Sequence, residues 1–156
     1  MEKTLQQTDW TQVAEIEIVY KTKVKPSSRP KITGSKDIYP LLLSIWDMNL
    51  IELQEQFIVL LLNRNNRVLG VYKASTGGIT GTVADPRLIL AAALKAGAAS
   101  IILSHNHPSS SVAPSRADEQ LTQKIKMAAS YHDISVLDHI IITTEGYYSF
   151  ADEGLL

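Results

Sequence analysis

The stretch from Asp85 to Asn106 restricts the fold more than any other part of the chain. Asp85 can cap a helix with its carboxylate, and Pro86 fits the first helical position, where no backbone donor is needed. Residues 87–96 then carry apolar side chains almost all round, which predicts a buried helix, and Gly97 supplies the left-handed residue that ends it. Residues 99–104 form a short, continuously apolar run, the pattern of a strand buried on both faces. A helix feeding straight into a buried strand requires an α/β layer arrangement and delivers the next residues to a sheet end. Those residues are His105-Asn106-His107-Pro108.

The rest of the chain supplies layers around this unit. Residues 13–24 alternate, with Ala14, Ile16, Ile18 and Tyr20 on one side and Glu15, Glu17, Lys21 and Lys23 on the other, the period of a half-buried strand near a sheet edge. Residues 25–35 hold two prolines, three serines and Gly34 among basic residues and read as a loop or arm. In residues 37–46 the spacing of Ile38, Leu41, Leu42 and Ile45 predicts a helix covering the sheet, with Pro40 tolerated in its first turn. The apolar runs 55–62 and 68–72, joined by Asn63-Arg64-Asn65-Asn66-Arg67, predict an antiparallel hairpin of two central strands. Pro114-Ser115 opens a helix over residues 115–131, with Ala117, Leu121, Ile125 and Ala128 as its buried stripe. Residues 134–143 read as a buried strand, and Glu145-Gly146 turns the chain into a last strand over 147–150. The fold class is α/β: a curved, mixed, largely antiparallel sheet flanked by helices, with the 37–46 and 87–96 helices packed on it and the 115–131 helix closing the side where the histidines emerge.

Composition removes several function classes. A chain of 156 residues suits one core, so a single domain over 1–156 is expected, with 1–36 as edge strand and basic arm and 37–156 carrying the chemistry. There is no cysteine, which excludes disulfides, thiolate metal sites and cysteine nucleophiles, so a metal site must use nitrogen and oxygen ligands. The formal net charge of -1 gives no global attraction to nucleic acid or membrane. The amino terminus MEKTLQQTDW lacks the basic start and apolar stretch of a secretory leader. The most apolar stretch, 88–103, is broken by Lys95 and Gly97, short of the roughly 18 uninterrupted apolar residues that a membrane span needs. The expectation is a soluble, cytoplasmic protein without a membrane partner.

Residues two apart on a strand project to the same side, so His105 and His107 can place both imidazoles around one ion at about 2.0–2.1 Å. Seven residues separate His107 from Ser115, and two more lead to Asp118. Ser115 and Asp118 lie three apart at a helix start and lean toward the same side of its first turn. Two imidazoles and one carboxylate leave a fourth tetrahedral position open, as in a catalytic rather than a structural zinc site. Each piece also has a plainer reading. An isolated His-x-His is common, and Ser-x-x-Asp before an apolar helix is also a capping box. The expectation is that Ser115 caps while Asp118 turns to the metal, since one oxygen cannot serve both.

The joint spacing resembles that of the JAMM/MPN metallopeptidases, and the surrounding text resembles their RadC branch. The stretches that carry the resemblance are GTVADPRLILAAALKAGAASIILSHNHPS, PSRADEQLTQKI and ISVLDHIIITTEGYYSFADEG, with QEQFIVLLLN upstream, together covering most of residues 50–156. Residues 13–49 also resemble the amino-terminal part of short RadC-like proteins. The resemblance implies a cytidine-deaminase-like α-β sandwich and one zinc ion held by His105, His107 and Asp118. It further implies that Ser115 helps to hold the reacting oxygen, that Glu55 is the general base, and that a peptide or isopeptide bond of an unknown protein or peptide substrate is hydrolysed. A carboxylate on a neighbouring strand is chemically suited to take a proton from zinc-acidified water, and Glu52 is the nearby competitor. Asp138-His139, in a buried strand, is either an orienting partner of a ligand or a satisfied core pair. The family usually continues HNHPSG, whereas here Ser109, Ser110 and Ser111 come after Pro108, which leaves the loop's backbone path open. The chain has no room for the helix-hairpin-helix region of longer RadC proteins, so a DNA-repair role is weakly supported.

Other function classes compete with this one. Two histidines and a carboxylate also form the facial triad of non-haem iron oxygenases, although the zinc spacing matches better. Zinc deaminases need cysteine ligands and are excluded. The basic arm of Lys21, Lys23, Lys25, Arg29, Lys31 and Lys36 offers nucleic-acid association as an alternative, but without interleaved aromatics beyond Tyr20 it reads as a solvated loop. A metal-binding scaffold without activity is a further alternative. Gly77-Gly78-Ile79-Thr80-Gly81 can border a substrate groove or simply turn the chain, and it lacks the ending of a phosphate loop. Substrate identity and oligomeric state carry no motif.

Overall fold

The computed structural model describes residues 17, 19–78 and 83–156. Five strands form one sheet: β1 (Gln56–Leu62), β2 (Val68–Thr76), β3 (Ser100–Asn106), β4 (Ser135–Ile142) and β5 (Tyr147–Ser149), in the order β2-β1-β3-β4-β5. β1 is antiparallel to both β2 and β3, β4 runs parallel to β3, and β5 returns antiparallel to β4. Helix α1 (Ser35–Ile45) covers one face, and α2 (Pro86–Lys95) with α3 (Arg116–Ser130) covers the other. The mixed, largely antiparallel sheet flanked by helices is therefore as expected.

The strand period explains the layering. Ile58, Leu60 and Leu62 of β1 pack with Leu42 and Trp46 under α1, while Phe57, Val59 and Leu61 pack with Ile89, Ile125 and Ala129 under α2 and α3. A strand covered on both sides must be apolar throughout, and at roughly 1.5–3 kcal/mol for each large side chain buried this sandwich dominates the stability. Asp85 accepts from the Arg87 N–H at 2.9 Å, capping α2 as its Asp-Pro start predicts. Gly97, at a φ of 63°, ends that helix and turns the chain toward β3.

Four expectations need correction. Among the described residues β2 is an edge strand, not a central one: of the described strands only β1 pairs with it, and Val71 stays 40% exposed. α2 is not buried all round, since Leu88 and Leu94 are 54% and 49% exposed. A helix on the outside of a sheet can bury only one stripe, here Ile89 and Ala93. The buried stripe of α3 is Thr122, Ile125 and Ala129, while Ala117 is exposed and Leu121 and Ala128 are only half-buried. Finally, of the strand expected over 13–24, residues 13–16 and 18 lie outside the described residues, and 19–24 are exposed and in no strand. Tyr20 meets the sheet through its hydroxyl alone, which donates to the Leu69 carbonyl at 2.8 Å. Among the described residues no helix is long and apolar enough to cross a membrane.

Candidate metal centre

The α2–β3 unit and the start of α3 bring three groups to one end of the sheet. His105 is the penultimate residue of β3, on the face shared with Leu103; His107 comes just past the strand; Asp118 lies in the first turn of α3. His105 Nε2 is 2.9 Å from His107 Nε2 and 3.3 Å from Asp118 Oδ1. His107 Nε2 is 3.6 Å from Asp118 Oδ2. Each residue offers one ligand atom, and these atoms all lie within 4.8 Å of one another. With ligands at about 2.0–2.1 Å, the edge of a zinc tetrahedron is about 3.3–3.4 Å; the two imidazole–carboxylate separations, one to each carboxylate oxygen, lie close to it, and the imidazole nitrogens sit somewhat nearer each other.

The hydrogen-bond network assigns the protons around this triangle. Thr122 Oγ1 donates to the Asp118 carbonyl at 2.6 Å, so toward His139 Nδ1, also at 2.6 Å, it can only accept. His139 therefore carries its proton on Nδ1 and presents a bare Nε2, which accepts from His105 Nδ1 at 2.8 Å. His105 Nε2 is then bare and faces the carboxylate. His107 Nδ1 donates to the Ser111 carbonyl at 2.7 Å, leaving its own Nε2 bare in the neutral ring. With both rings neutral, two nitrogen lone pairs and a carboxylate thus converge, an arrangement that a cation satisfies and that a proton on either Nε2 satisfies in its place. The donor set of two imidazoles and one carboxylate fits zinc.

A proton competes with a cation for this triangle. Burial pushes the Asp118 carboxyl up, but hydrogen bonds to His105, His107 and Ser115 outweigh it and hold the group well below the usual carboxylate range. His107 is raised above its ordinary value, chiefly by its hydrogen bond to Asp118 against the effect of burial, with the Glu55 charge adding to the pull. His139 is fully buried, and burial first, then the neighbouring His105, pushes its pKa well down, so it stays a neutral acceptor. Its ring stacks on Phe150 at 4.7 Å, and Phe57 lies parallel to the His105 ring at 6.0 Å.

Ser115 and Asp118 combine the two functions that the sequence set against each other. Ser115 Oγ accepts from the Asp118 N–H at 3.1 Å, and the Ser115 N–H and hydroxyl both donate to Asp118 Oδ2 at 2.7 Å, a complete capping box. The cap uses Oδ2, which leaves Oδ1 facing His105. The premise that one oxygen cannot serve both cap and ion stands, and the carboxylate meets it with Oδ2 in the cap and Oδ1 on the side of His105.

Glu55 is half-buried just ahead of β1, two residues before Phe57, which pairs with His105 across the sheet. Its charge reaches His107, whereas Glu52 is exposed and accepts from the Thr144 hydroxyl at 3.2 Å. Asp138 turns to the opposite side of β4 from His139, where its carboxylate accepts from the Ser149 hydroxyl and from the Ala151 and His139 N–H groups. Burial raises the Asp138 pKa against the Ser149 hydrogen bond. Ser110, where the glycine is usual, adopts a left-handed φ of 63°, so the loop keeps a glycine-type path with a serine. Gly77 and Gly78 bracket the Glu55 backbone, while residues 79–82 lie outside the described ones. The basic arm meets the β1–β2 turn through Lys31 and Arg67, and its lysines are exposed. Sequence reasoning missed Thr122 and Asn106. The signal available for both was a polar residue on a parity or stripe that faces the core.

The fold and the triangle together define a small α/β domain that gathers two imidazoles and a carboxylate, a group that could hold a metal ion, at the carboxyl end of a parallel strand pair. The family described as RadC-like JAB domain matches residues 32–155, and the chain belongs to that family. It is 48% identical over 126 residues to a UPF0758 protein of Flavobacterium johnsoniae, covering 80% of this chain and 53% of that one. A UPF0758 protein of Porphyromonas gingivalis is 48% identical over 104 residues, covering 66% of this chain and 46% of its own. One from Rubrobacter xylanophilus is 36% identical over 146 residues, covering 92% of this chain and 62% of its own. The chain spans about half the length of the curated relatives it matches.

Proposed function

We propose that this domain is a zinc-dependent hydrolase of peptide or isopeptide bonds, with His105, His107 and Asp118 as ligands and Glu55 as general base. The observation that carries the reading is the convergence of two unprotonated imidazole nitrogens and one carboxylate oxygen, backed by the hydrogen bonds that fix which nitrogens are bare. Zinc held there supplies Lewis acidity, which polarises a carbonyl and lowers the pKa of water to about 7.

The chain's own residues supply the rest. The Glu55 carboxylate, at the sheet end beside His107, takes the proton of the attacking water and returns it to the leaving nitrogen. Ser115 orients Asp118 through Oδ2, and its hydroxyl, turned from Asp118 toward substrate, donates to the oxygen of the tetrahedral intermediate. His139 and Thr122 hold His105 in the tautomer that a ligand needs. Phe57, buried with its ring parallel to that of His105, walls one side of the site from bulk water.

Two measurements test this. Protein purified without added metal is expected to hold stoichiometric zinc by elemental analysis; iron with oxygen-dependent turnover would overturn the reading in favour of an oxygenase. On a confirmed substrate, Glu55→Gln is expected to lower kcat roughly 10²–10⁴-fold with the zinc retained. Full activity in that variant removes Glu55 from the mechanism, and zinc binding without hydrolysis across peptide and isopeptide libraries leaves a scaffold.

A further inference from the structure

β3 presents alternate residues to opposite sides. Leu103 and His105 face α2 and α3, so Asn106, in step with Ile102, faces α1. Asn106 lies between the two histidines in sequence yet points away from the ion site, and it is fully buried. Its carboxamide is spent on the backbone of one segment: Nδ2 donates to the Ile51 carbonyl at 2.6 Å and to the Gln54 carbonyl at 2.8 Å, and Oδ1 accepts from the Gln56 N–H at 2.7 Å. Both amide protons and the amide oxygen are therefore in use. These partners lie on either side of Glu55 in the chain. The Glu55 peptide is held from the opposite direction as well, its carbonyl accepting from the Gly77 N–H at 2.8 Å and its N–H donating to the Gly78 carbonyl at 3.3 Å.

We propose that Asn106 is the positioning residue of Glu55, tying the peptide that carries this carboxylate to the strand end that carries His105 and His107. The inference rests on the reading of Glu55 as general base and deepens it. Residues 50–54 form a turn outside the sheet ladder, so no strand pairing fixes their distance from β3. The carboxamide does this instead, because it offers two donors and an acceptor from one rigid plane. An aspartate lacks the donors for two carbonyls. A serine is too short and has one proton, and a glutamine is a methylene too long for a fully buried slot. One side chain from the ligand strand itself thereby adds to the backbone hydrogen bonds of Gly77 and Gly78 in fixing where the base lies.

The test reads Glu55 directly and needs no substrate. The side-chain carboxyl ¹³C resonance of Glu55 is assigned by its loss in Glu55→Gln. In the wild type, zinc is expected to shift that resonance. In Asn106→Ala, zinc is expected to bind with unchanged stoichiometry by elemental analysis while the shift at Glu55 is lost. Asn106→Asp, which keeps the volume and the acceptor for Gln56, is expected to lose it too, and serves if the alanine variant does not fold. If the wild-type Glu55 signal ignores zinc, the general-base reading fails and takes this inference with it. If both variants respond as the wild type does, only the positioning inference fails. A measurement without any variant stands beside these: the Asn106 side-chain amide protons and the Gln56 amide are expected to exchange with solvent far more slowly than exposed amides. Fast exchange of both overturns the proposal.

Discussion

The two faces of the sheet hold their helices by different physics. Under α1 the cluster around Leu42, Leu60 and Ile140 is apolar, and apolar burial is non-directional: a side chain of similar volume serves nearly as well. Under α2 and α3 a comparable cluster around Val59, Ile89 and Ile125 gives way, at the sheet end, to His105, His139 and Thr122, all buried to 1% exposure or less. There each side chain is held by two partners in fixed directions, and a lost partner leaves a buried donor or acceptor that costs about 1–3 kcal/mol. The two apolar clusters supply non-directional burial on both faces, and the polar chain adds direction at the sheet end, where the imidazoles and the carboxylate converge. β3 belongs to both, with Asn106 turned to one side and the histidines to the other.

The largest effect expected from breaking this division lies on the apolar side. Leu42 is fully buried, and Leu42→Ala removes its contacts with Leu60 and Ile58 and leaves a cavity. A loss of about 2–5 kcal/mol in denaturant unfolding is expected, with zinc stoichiometry unchanged in the fraction that stays folded. Zinc lost from a folded Leu42→Ala protein would mean that the two faces are not separable and that α1 packing sets the metal geometry.

How far the sequence showed these two systems differs with the physics of each. His105 and His107 were legible because the strand period alone puts them on one side, and Asp118 because a helix start gives Ser115 and Asp118 a shared direction. The influence of the Glu55 charge on His107 depends on the antiparallel register that sets Phe57 opposite His105, which no local spacing contains. β2 was misplaced because Val68, Leu69, Val71 and Tyr72 look the same in composition whether one or two neighbours pair with the strand. The phase of α3 was misjudged by one position. Taken from its apolar residues it runs through Leu121 and Ala128, but Asp118 must face the site, and the row 118, 122, 125, 129 then brings Thr122 inward. A buried threonine at that phase has a use only once His139 is known to lie above it.

A smaller effect is expected at the middle of the polar chain. His139→Phe keeps a ring between Phe57 and Phe150 but removes the Nε2 acceptor that keeps the proton of His105 on Nδ1. Zinc affinity, measured by competition with a chelator, is expected to fall about 10–100-fold, the range found when the orienting partner of a ligand is removed. That is about 1.4–2.8 kcal/mol on the ion. Unchanged affinity would show that His105 selects its tautomer without help, and His139 would revert to a core histidine.

The smallest effect is expected at the boundary between the polar chain and the helix. Ser115→Ala deletes the acceptor for the Asp118 N–H, while the Ser115 N–H still donates to Asp118 Oδ2 and Oδ1 still faces His105. The loss is therefore expected to appear as a weaker cap on α3, about 0.5–2 kcal/mol in unfolding free energy, read as a lower denaturant midpoint at an unchanged slope. Zinc affinity is expected to move less than in His139→Phe, because the oxygen nearest the imidazole is not the one the serine holds. If instead the chelator competition shows a loss as large as at His139, then Oδ2 is the oxygen that holds the ion. Ser115 would then belong with His139 and Thr122 among the groups that aim the ligands, and the polar chain would extend through the helix cap.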